Sequence, residues 1–349
     1  MSARLGLVTR SGLGEAIARR FAHRGLARVL VFGLVIAAVA VGNAAYETGN
    51  LLGGALGLEG VFGGDTRAWA LVMGSFAALL LGSGSYRAVE RSMVALVALM
   101  SLTFVVTAVA LRPPLVPLLR GLFVPTVPDT RAWLVAIGLI GTTVVPYNLF
   151  LHAGAVAERW QGVAELGRAR RDLVISIGVG GLVSMAILIT SATAWTGDGP
   201  ITSAADMAGA LSPVLGRWAT IFFALGLFAA GITSSITAPL AAAWAVAGLL
   251  GWPRDLRHPR VRLVWGGVLA IGVALALAGV RPVPAILFAQ ATNGILLPAV
   301  ALFLLVAVND AEWMGGQRNR VASNLLGGIV VLVAAVLGAR ALLAVAGLI

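Results

Sequence analysis

Residues 141–148 read GTTVVPYN and interrupt one of the most apolar parts of the chain. They place two threonines, a proline, a tyrosine and an asparagine among residues that would otherwise continue a hydrophobic helix. In hydrocarbon an unpaired backbone group costs several kcal/mol, so a helix breaks at membrane depth only where a cavity, a neighbour or a bound solute satisfies the freed groups. The interruption therefore predicts a binding site, as in the broken helices of transporters.

The proline in this stretch indicates what the site would bind. Pro146 has no N–H group, so it leaves free the carbonyl four residues earlier, that of Thr142. The C-terminal end of the half-helix before the break carries partial negative charge, which favours a cation. Asn148 and His152 share a helical face beyond the break and extend the same path. The alternative is a simple kink, in which the hydroxyls of Thr142 and Thr143 bond the freed carbonyls.

The composition identifies an all-α integral membrane protein. The chain has 349 residues, of which 59% are hydrophobic and 11% are charged, and its mean hydropathy is +0.97. A span needs about 20 apolar residues, and the apolar runs are too long and uniform for barrel strands. Nine segments qualify: 29–56, 68–86, 91–111, 132–157, 172–195, 218–250, 262–280, 283–308 and 322–348.

The arginines predict the orientation of these spans. With a cytoplasmic N-terminus, 18 of the 25 basic residues, all of them arginine, fall in inner segments. The positive-inside rule then predicts a multi-pass protein of the inner (plasma) membrane. Orientation and contact with the anionic lipid bilayer also account for the net charge of +11, so no nucleic-acid partner is expected. The absence of cysteine excludes thiolate metal sites and cysteine nucleophiles.

A second polar feature lies in the first span. Glu47 is the one acidic residue well inside a predicted span, and Asn43, Tyr46 or Glu47, and Asn50 follow helical spacing along one face. An ionisable residue at that depth is a functional candidate by default. The alternative is a protonated structural residue that bonds a neighbouring helix. Gln290, in the span after two prolines, adds an amide that can face the same cavity.

Motifs of soluble enzymes are absent from the sequence. It contains no Walker loop, no GxSxG, no HExxH and no Cys/His zinc spacing. An intramembrane enzyme would need two titratable groups at one depth, and Glu47 and His152 are the only candidates. We therefore expect no enzyme and no cofactor.

A resemblance to a known family rests on the same stretch. The phrase VPYNLFLH at 145–152 resembles the sixth-helix motif of the Nramp family of divalent-metal transporters, usually written MPHN followed by LH. Residues 43–49, 234–237 and 290–298 are similar to that family's third, eighth and tenth helices, so the resemblance covers essentially the whole chain. It implies a LeuT-type transporter fold of two inverted five-helix repeats, with metal held between broken helices one and six.

Against that plan the chain begins at the end of the family's second helix. The nine predicted spans then correspond to family helices 3 to 11, and the aspartate-bearing first helix is absent, as in a truncated gene model or fragment. We expect a cytoplasmic segment at 1–28, followed by the rest of the first repeat, with three helices, at 29–131. The second repeat, with five helices, follows at 132–308, and its first helix is broken near 141–147. An inner loop and a final helix occupy 309–349.

The resemblance also shows departures from the family pattern. Val145 stands where the family has its metal-binding methionine, and Tyr147 replaces a histidine. Asn43 and Tyr46 fall where the family has an aspartate and a glutamate of its proton route, which argues against proton coupling. This pattern is similar to the Nramp-related magnesium-transporter branch, and Mg²⁺ prefers oxygen ligands.

The resemblance carries over two candidate ligands by position, the carbonyl of Thr142 and the amide of Gln290. Glu47 is an extra candidate, a carboxylate one residue from the family's own. The side chains of Val145, Pro146, Tyr147, Asn148, His152, Asn43, Tyr46 and Asn50 would line the substrate pathway.

The sequence thus predicts a transporter that moves Mg²⁺ or Mn²⁺ as its substrate by alternating access. Two alternatives stay open: an organic-solute permease of the same fold, for example for amino acids, and an inactive truncated remnant. The sequence does not predict the oligomeric state.

Overall fold

The structure, a computed structural model, is helical throughout the residues that it describes. These are residues 1–345 except 24, 37–38, 40–41, 84–85, 125, 127–128, 130–131, 133–134, 137–138, 140–144, 195–208, 210–211 and 213–215. The helices are α1 (Ser2–Thr9), α2 (Leu13–Arg20), α3 (Gly25–Ile36), α4 (Gly42–Phe62), α5 (Thr66–Ser83), α6 (Tyr86–Ala110), α7 (Leu115–Phe123), α8 (Pro146–Arg159), α9 (Leu166–Ala194), α10 (Ala219–Leu250), α11 (Pro259–Leu277), α12 (Pro282–Ala307), α13 (Ala311–Met314) and α14 (Val321–Val345). Short 3₁₀ turns lie at Val163–Glu165, Gly216–Trp218 and Gly315–Gln317.

The apolar runs of the sequence coincide with these helices. Most of the predicted spans correspond to one helix, with boundaries that agree within a few residues: the run at 262–280 corresponds to α11, and the run at 283–308 to α12. The first run, 29–56, differs, because it covers most of α3 and most of α4. Three helices, α8, α11 and α12, begin with proline at their first or second position, where the missing N–H has no intrahelical partner to lose.

Some of these helices are long and apolar enough to span a membrane. By length and hydropathy, four helical segments among the described residues can cross a membrane: Thr66–Ser83, Val163–Ala192, Ala219–Leu250 and Pro259–Leu277. A fifth candidate is the bent pair Leu296–Ala307 and Ala311–Gln317, whose parts meet at 61°. The count of nine spans, and the division into repeats, therefore stay predictions.

The centre of the structure is the crossing of α4 and α10, the most extensively packed helix pair. Glycines make this close approach possible. A methyl group added at Gly231 would lie 2.5 Å from Cα of Gly54 and 2.8 Å from the carbonyl oxygen of Asn50. Because small residues let helix backbones meet, α4 is held against α10 along its length. This contact fixes the polar stripe of α4 inside the protein.

The N-terminal segment contains more structure than expected. For the cytoplasmic segment 1–28 we predicted only the end of one helix at its start, but the segment also contains the helix α2. Its apolar residues Leu13 and Ile17 are four apart and buried, and they join a core with α8, α10 and α12. The physical reason is the amphipathic spacing of α2, whose apolar run is much shorter than a membrane span and is therefore not marked by hydropathy.

The outer surfaces of several helices are apolar. Large side chains are exposed on α5, α9 and α14, including Leu79 at 75%, Val174 at 70% and Val321 at 85%. A water-soluble protein rarely exposes apolar surface on this scale. These faces are suited to lipid, in agreement with an integral membrane protein.

We predict that the glycine contact between α4 and α10 controls stability. Gly231→Ala should destabilise the protein by about 1–3 kcal/mol, because the added methyl meets rigid backbone atoms. Gly267→Ala in α11 is the matched control, since no heavy atom lies within 4 Å of the added methyl. The unfolding midpoint of each variant is measured by heating in detergent, with size-exclusion chromatography as the readout of folded protein. Equal midpoints for the two variants would contradict the prediction.

Candidate functional site

The helix α8 begins at Pro146, and the helix broken near 141–147 stays a prediction because residues 140–144 lie outside the described part of the chain. Val145 has an extended backbone, with φ −75° and ψ 131°, and α8 begins at Pro146. A residue before proline is disfavoured in the helical region, which explains why α8 does not extend back through Val145. The N–H of Asn148 donates to the Val145 carbonyl oxygen at 3.0 Å and caps the new helix. Thr142, whose carbonyl we predicted to be free, lies outside the described residues.

The start of α8 is packed inside the protein. Val145 and Tyr147 are buried in a cluster with Tyr46 of α4 and with Ala238 and Ala241 of α10. The rings of Tyr46 and Tyr147 meet edge to face, with their centroids 5.9 Å apart. Such an arrangement suits the quadrupoles of two aromatic rings. The start of α8 therefore rests directly on the polar stripe of α4.

The stripe itself is as predicted from the helical spacing. Asn43, Tyr46, Glu47 and Asn50 are all buried, and Glu47 is 0% exposed. The side-chain amide of Asn43 donates to the carbonyl oxygen of Ala238 at 3.1 Å. One end of the stripe thus faces the break and the middle of α10.

Glu47 occupies the other part of the stripe, between α10 and α11. Its Oε2 accepts a hydrogen bond from the Asn50 amide at 3.3 Å. Its Oε1 is buried and has no hydrogen-bond partner among the described residues. A methyl added at Gly272 of α11 would lie 2.6 Å from Glu47 Cγ, so a glycine is what admits this side chain. A buried oxygen without a partner is energetically unfavourable, unless it serves a ligand.

A residue of the stretch 234–237, which resembles the family's eighth helix but was not among the predicted site residues, lies beside this carboxyl. Ser235 of α10 is a polar neighbour of Glu47; it is fully buried, and within the described residues its hydroxyl makes no hydrogen bond. Pro239 lies inside α10, one turn later. Because proline has no N–H, the Ser235 carbonyl lacks its usual intrahelical donor. Proline four residues after serine was the available signal.

Other predicted site residues are placed less completely. The backbone of Gln290 belongs to α12, but its side chain lies outside the part of the chain that the structure describes. His152 lies on α8, and its Nε2 is buried without a hydrogen-bond partner in the described structure. Asn148 is exposed. The structure therefore brings the α4 stripe, the break and Ser235 together.

The donor atoms that this site offers are oxygens. Among the described residues, no three His, Cys, Asp or Glu side chains are grouped to hold a metal ion. A cation here would meet one carboxylate, with a hydroxyl and backbone or amide oxygens around it. Such oxygen donors suit hard divalent ions, and Mg²⁺ in particular is usually bound by one or two carboxylates and keeps several waters.

The chain matches the family model described as Nramp, natural resistance-associated macrophage protein-like, over residues 1–344. The protein belongs to the Nramp family. A relative from Verminephrobacter eiseniae, named divalent metal cation transporter MntH, is 31% identical over 332 residues, which are 92% of this chain and 73% of the relative. A protein of the same name from Mycobacterium tuberculosis is 28% identical over 350 residues, covering 97% of this chain and 78% of the relative.

The fold of this Nramp protein is also similar to solved structures. The crystal structure of the Eremococcus coleocola manganese transporter, in complex with an aromatic bis-isothiourea substituted compound, has a TM-score of 0.77 at 21% identity. The match covers 97% of this chain and 75% of that chain. The resemblance drawn from residues 145–152 is confirmed, and so is the prediction that the chain is not an enzyme.

We predict that Glu47 and Asn50 stabilise the site as a pair. Glu47→Leu should leave the Asn50 amide buried without its acceptor, whereas Glu47→Gln keeps an acceptor oxygen. A double-mutant cycle with Asn50→Leu should give a coupling of about 1 kcal/mol in thermal unfolding. Strictly additive effects would show that the hydrogen bond does not hold this part of α4.

Proposed function

We propose that this Nramp protein transports divalent metal cations, Mg²⁺ or Mn²⁺, across the membrane by alternating access. The observation that carries the proposal is the restart of the helix at Pro146 against the buried stripe of α4. A broken helix of this kind presents backbone oxygens to a solute at membrane depth. The names of its relatives, divalent metal cation and manganese transporters, support the choice of substrate.

The proposed cation site is built around Glu47. Its free Oε1 and the neighbouring Ser235 hydroxyl provide two oxygens without hydrogen bonds among the described residues. The carbonyl of Thr142 and the amide of Gln290 complete the proposed ligand set. A divalent ion would compensate the buried carboxylate, which otherwise lacks an opposite charge in the described structure.

The residue at the break favours Mg²⁺ or Mn²⁺ over softer ions. Val145 has no donor atom, and it is buried against Tyr46 and Tyr147. A thioether at this position would select softer transition metals. An all-oxygen site instead suits Mg²⁺ and Mn²⁺. With Asn43 and Tyr46 on the stripe, we propose no dedicated proton route there.

The proposed location follows from the arginines. We place the protein in the inner (plasma) membrane with its N-terminus in the cytoplasm, because most arginines then lie on the inner side. The helix α8 is the proposed moving element, since it begins at the break.

Uptake into proteoliposomes tests the transport function. Liposomes that contain the purified protein should take up Mn²⁺ and Mg²⁺ down an inward gradient, as measured by metal-sensitive dyes trapped in the lumen. Dissipating the pH gradient should not change the uptake rate. An excess of Mg²⁺ should slow Mn²⁺ uptake, whereas an excess of amino acids should not. Uptake equal to that of empty liposomes would overturn the proposal. Competition by amino acids alone would favour the permease.

A conservative substitution tests the site. Glu47→Gln keeps the hydrogen bond with Asn50 but removes the charge, so Mn²⁺ uptake should fall about ten-fold or more while the unfolding temperature is retained. Glu59→Gln, on the same helix but outside the stripe, should transport at the wild-type rate. If Glu47→Gln also transported normally, Glu47 would not be a ligand.

A further inference from the structure

A polar cavity lies where the chain passes from α12 to α14. Its volume is about 420 Å³, and it is lined by Arg318, Arg320, Asn309, Asn319 and Asn324, together with two glycines. None of these residues belongs to the proposed cation site around Glu47. We call this space the loop cavity, because most of its wall comes from the connection between the two helices.

The three asparagines of the loop cavity are bonded to one another. Oδ1 of Asn324 accepts from Nδ2 of Asn309 and from Nδ2 of Asn319, both at 2.7 Å. Nδ2 of Asn324 donates to Oδ1 of Asn309 at 2.8 Å. The guanidinium of Arg4 in α1 donates to Oδ1 of Asn319. Each of the three amide oxygens therefore already accepts a hydrogen bond, and the network fixes the shape of the wall.

The two arginines of the loop cavity have no such partners. Their side chains are exposed, and neither forms an ion pair within the described part of the chain. No Asp or Glu is among the described residues that line the cavity. The guanidinium group keeps its charge and presents a planar fork of donors that matches a phosphate group. The loop cavity is therefore suited to an anion.

The carboxylates of the same connection belong to a different cavity. Asp310 and Glu312 line a neighbouring space together with Arg20 of α2. Asp310 forms an ion pair with Arg20 at 3.0 Å. Its charge is thus already compensated by an arginine outside the loop cavity, and Arg318 and Arg320 remain available for a ligand.

The first turn of α14 adds to this preference for an anion. The helix begins at Val321, directly after Arg320. The first N–H groups of a helix have no intrahelical acceptor, and the helix dipole places partial positive charge at this end. Phosphate groups bind at such helix starts. Here the dipole acts together with the two arginines.

An apolar stripe runs along α14 from the edge of the loop cavity. Val321, Leu325 and Ile329 are four residues apart and therefore share one face of the helix. They are 85%, 65% and 48% exposed. A molecule with a phosphate group in the cavity could lay acyl chains along this stripe. A soluble anion would use the cavity alone and leave the stripe uncovered.

We propose that the loop cavity binds the phosphate group of an anionic phospholipid, with the acyl chains along the stripe of α14. Basic pockets beside membrane helices are known sites for anionic headgroups. A zwitterionic lipid is disfavoured, since no carboxylate lines the cavity to pair with its ammonium group. In the orientation proposed above, this lipid belongs to the inner leaflet. The inference goes beyond transport, because binding at this cavity requires neither Glu47 nor movement of a cation.

Native mass spectrometry of the purified full chain in detergent tests the site. Phosphatidylglycerol and phosphatidylcholine with identical acyl chains are added separately, and the affinity of the first bound lipid is measured. The wild type should bind phosphatidylglycerol about ten-fold more tightly. The double variant Arg318→Gln/Arg320→Gln should bind phosphatidylglycerol about ten-fold more weakly than the wild type and should lose the preference. Equal affinities of the double variant and the wild type would overturn the proposal.

A matched double variant separates a specific site from general attraction of charge. Arg91→Gln/Arg262→Gln removes two exposed arginines from other predicted inner segments, and neither residue lines the loop cavity. Its affinity for phosphatidylglycerol should stay within about two-fold of the wild type. A loss as large as that of Arg318→Gln/Arg320→Gln would assign the binding to net charge and contradict the proposal. Both double variants should unfold at the wild-type temperature in lipid-free detergent, because the replaced side chains are exposed.

Soluble competitors distinguish a lipid from a free phosphate. Inorganic phosphate and glycerol phosphate, at the concentration at which short-chain phosphatidylglycerol displaces half of the bound lipid, should displace less than a tenth of it. Equal displacement by the soluble phosphates would show that the stripe of α14 contributes nothing, and would overturn the assignment to a lipid. These measurements do not involve uptake, so their outcome is independent of whether the protein transports Mn²⁺ or Mg²⁺.

Discussion

The fold depends on the need to satisfy backbone polar groups where no water is present. An unbroken helix does this by itself, but the backbone at Val145 does not, because Val145 is extended. The protein meets this need by burying the start of α8 against α4 and α10, where aromatic and small side chains enclose it. A break in such surroundings is maintained only by tertiary packing, so the close contact of α4 with α10 supports the site as well as the core.

The close contact of the central helices also explains how a carboxyl group can be buried. Glycines at the α4–α10 crossing bring the two backbones together, and Gly272 of α11 leaves the space that Glu47 occupies. The bond from Asn50 satisfies one carboxyl oxygen. The other oxygen and the Ser235 hydroxyl are left without partners among the described residues. Such an arrangement is costly for a purely structural core, and it suits a group that receives a cation.

Family membership and the residues at the site give different information. The match over residues 1–344 establishes the family, and the similarity to the manganese transporter establishes the fold. The substituted positions within the matched motif bear on the selectivity that we propose. Val145 has no thioether and Asn43 has no charge, so the proposed site offers oxygen donors. Relatives that share a fold can therefore differ in the ion that they accept.

The sequence by itself determined the membrane class, the positions of the long helices, the start of a helix at Pro146 and the shared face of Asn43, Glu47 and Asn50. Each of these follows from local rules, namely hydropathy over a span, the missing N–H of proline and the 3.6-residue period. Only the tertiary structure decided that Glu47 meets Ser235 and Gly272, that α2 forms within the segment 1–28, and that Arg4 of α1 binds Asn319. Periodicity identifies which face of a helix is buried, but the partner on the other side is set by how helices far apart in the chain pack together.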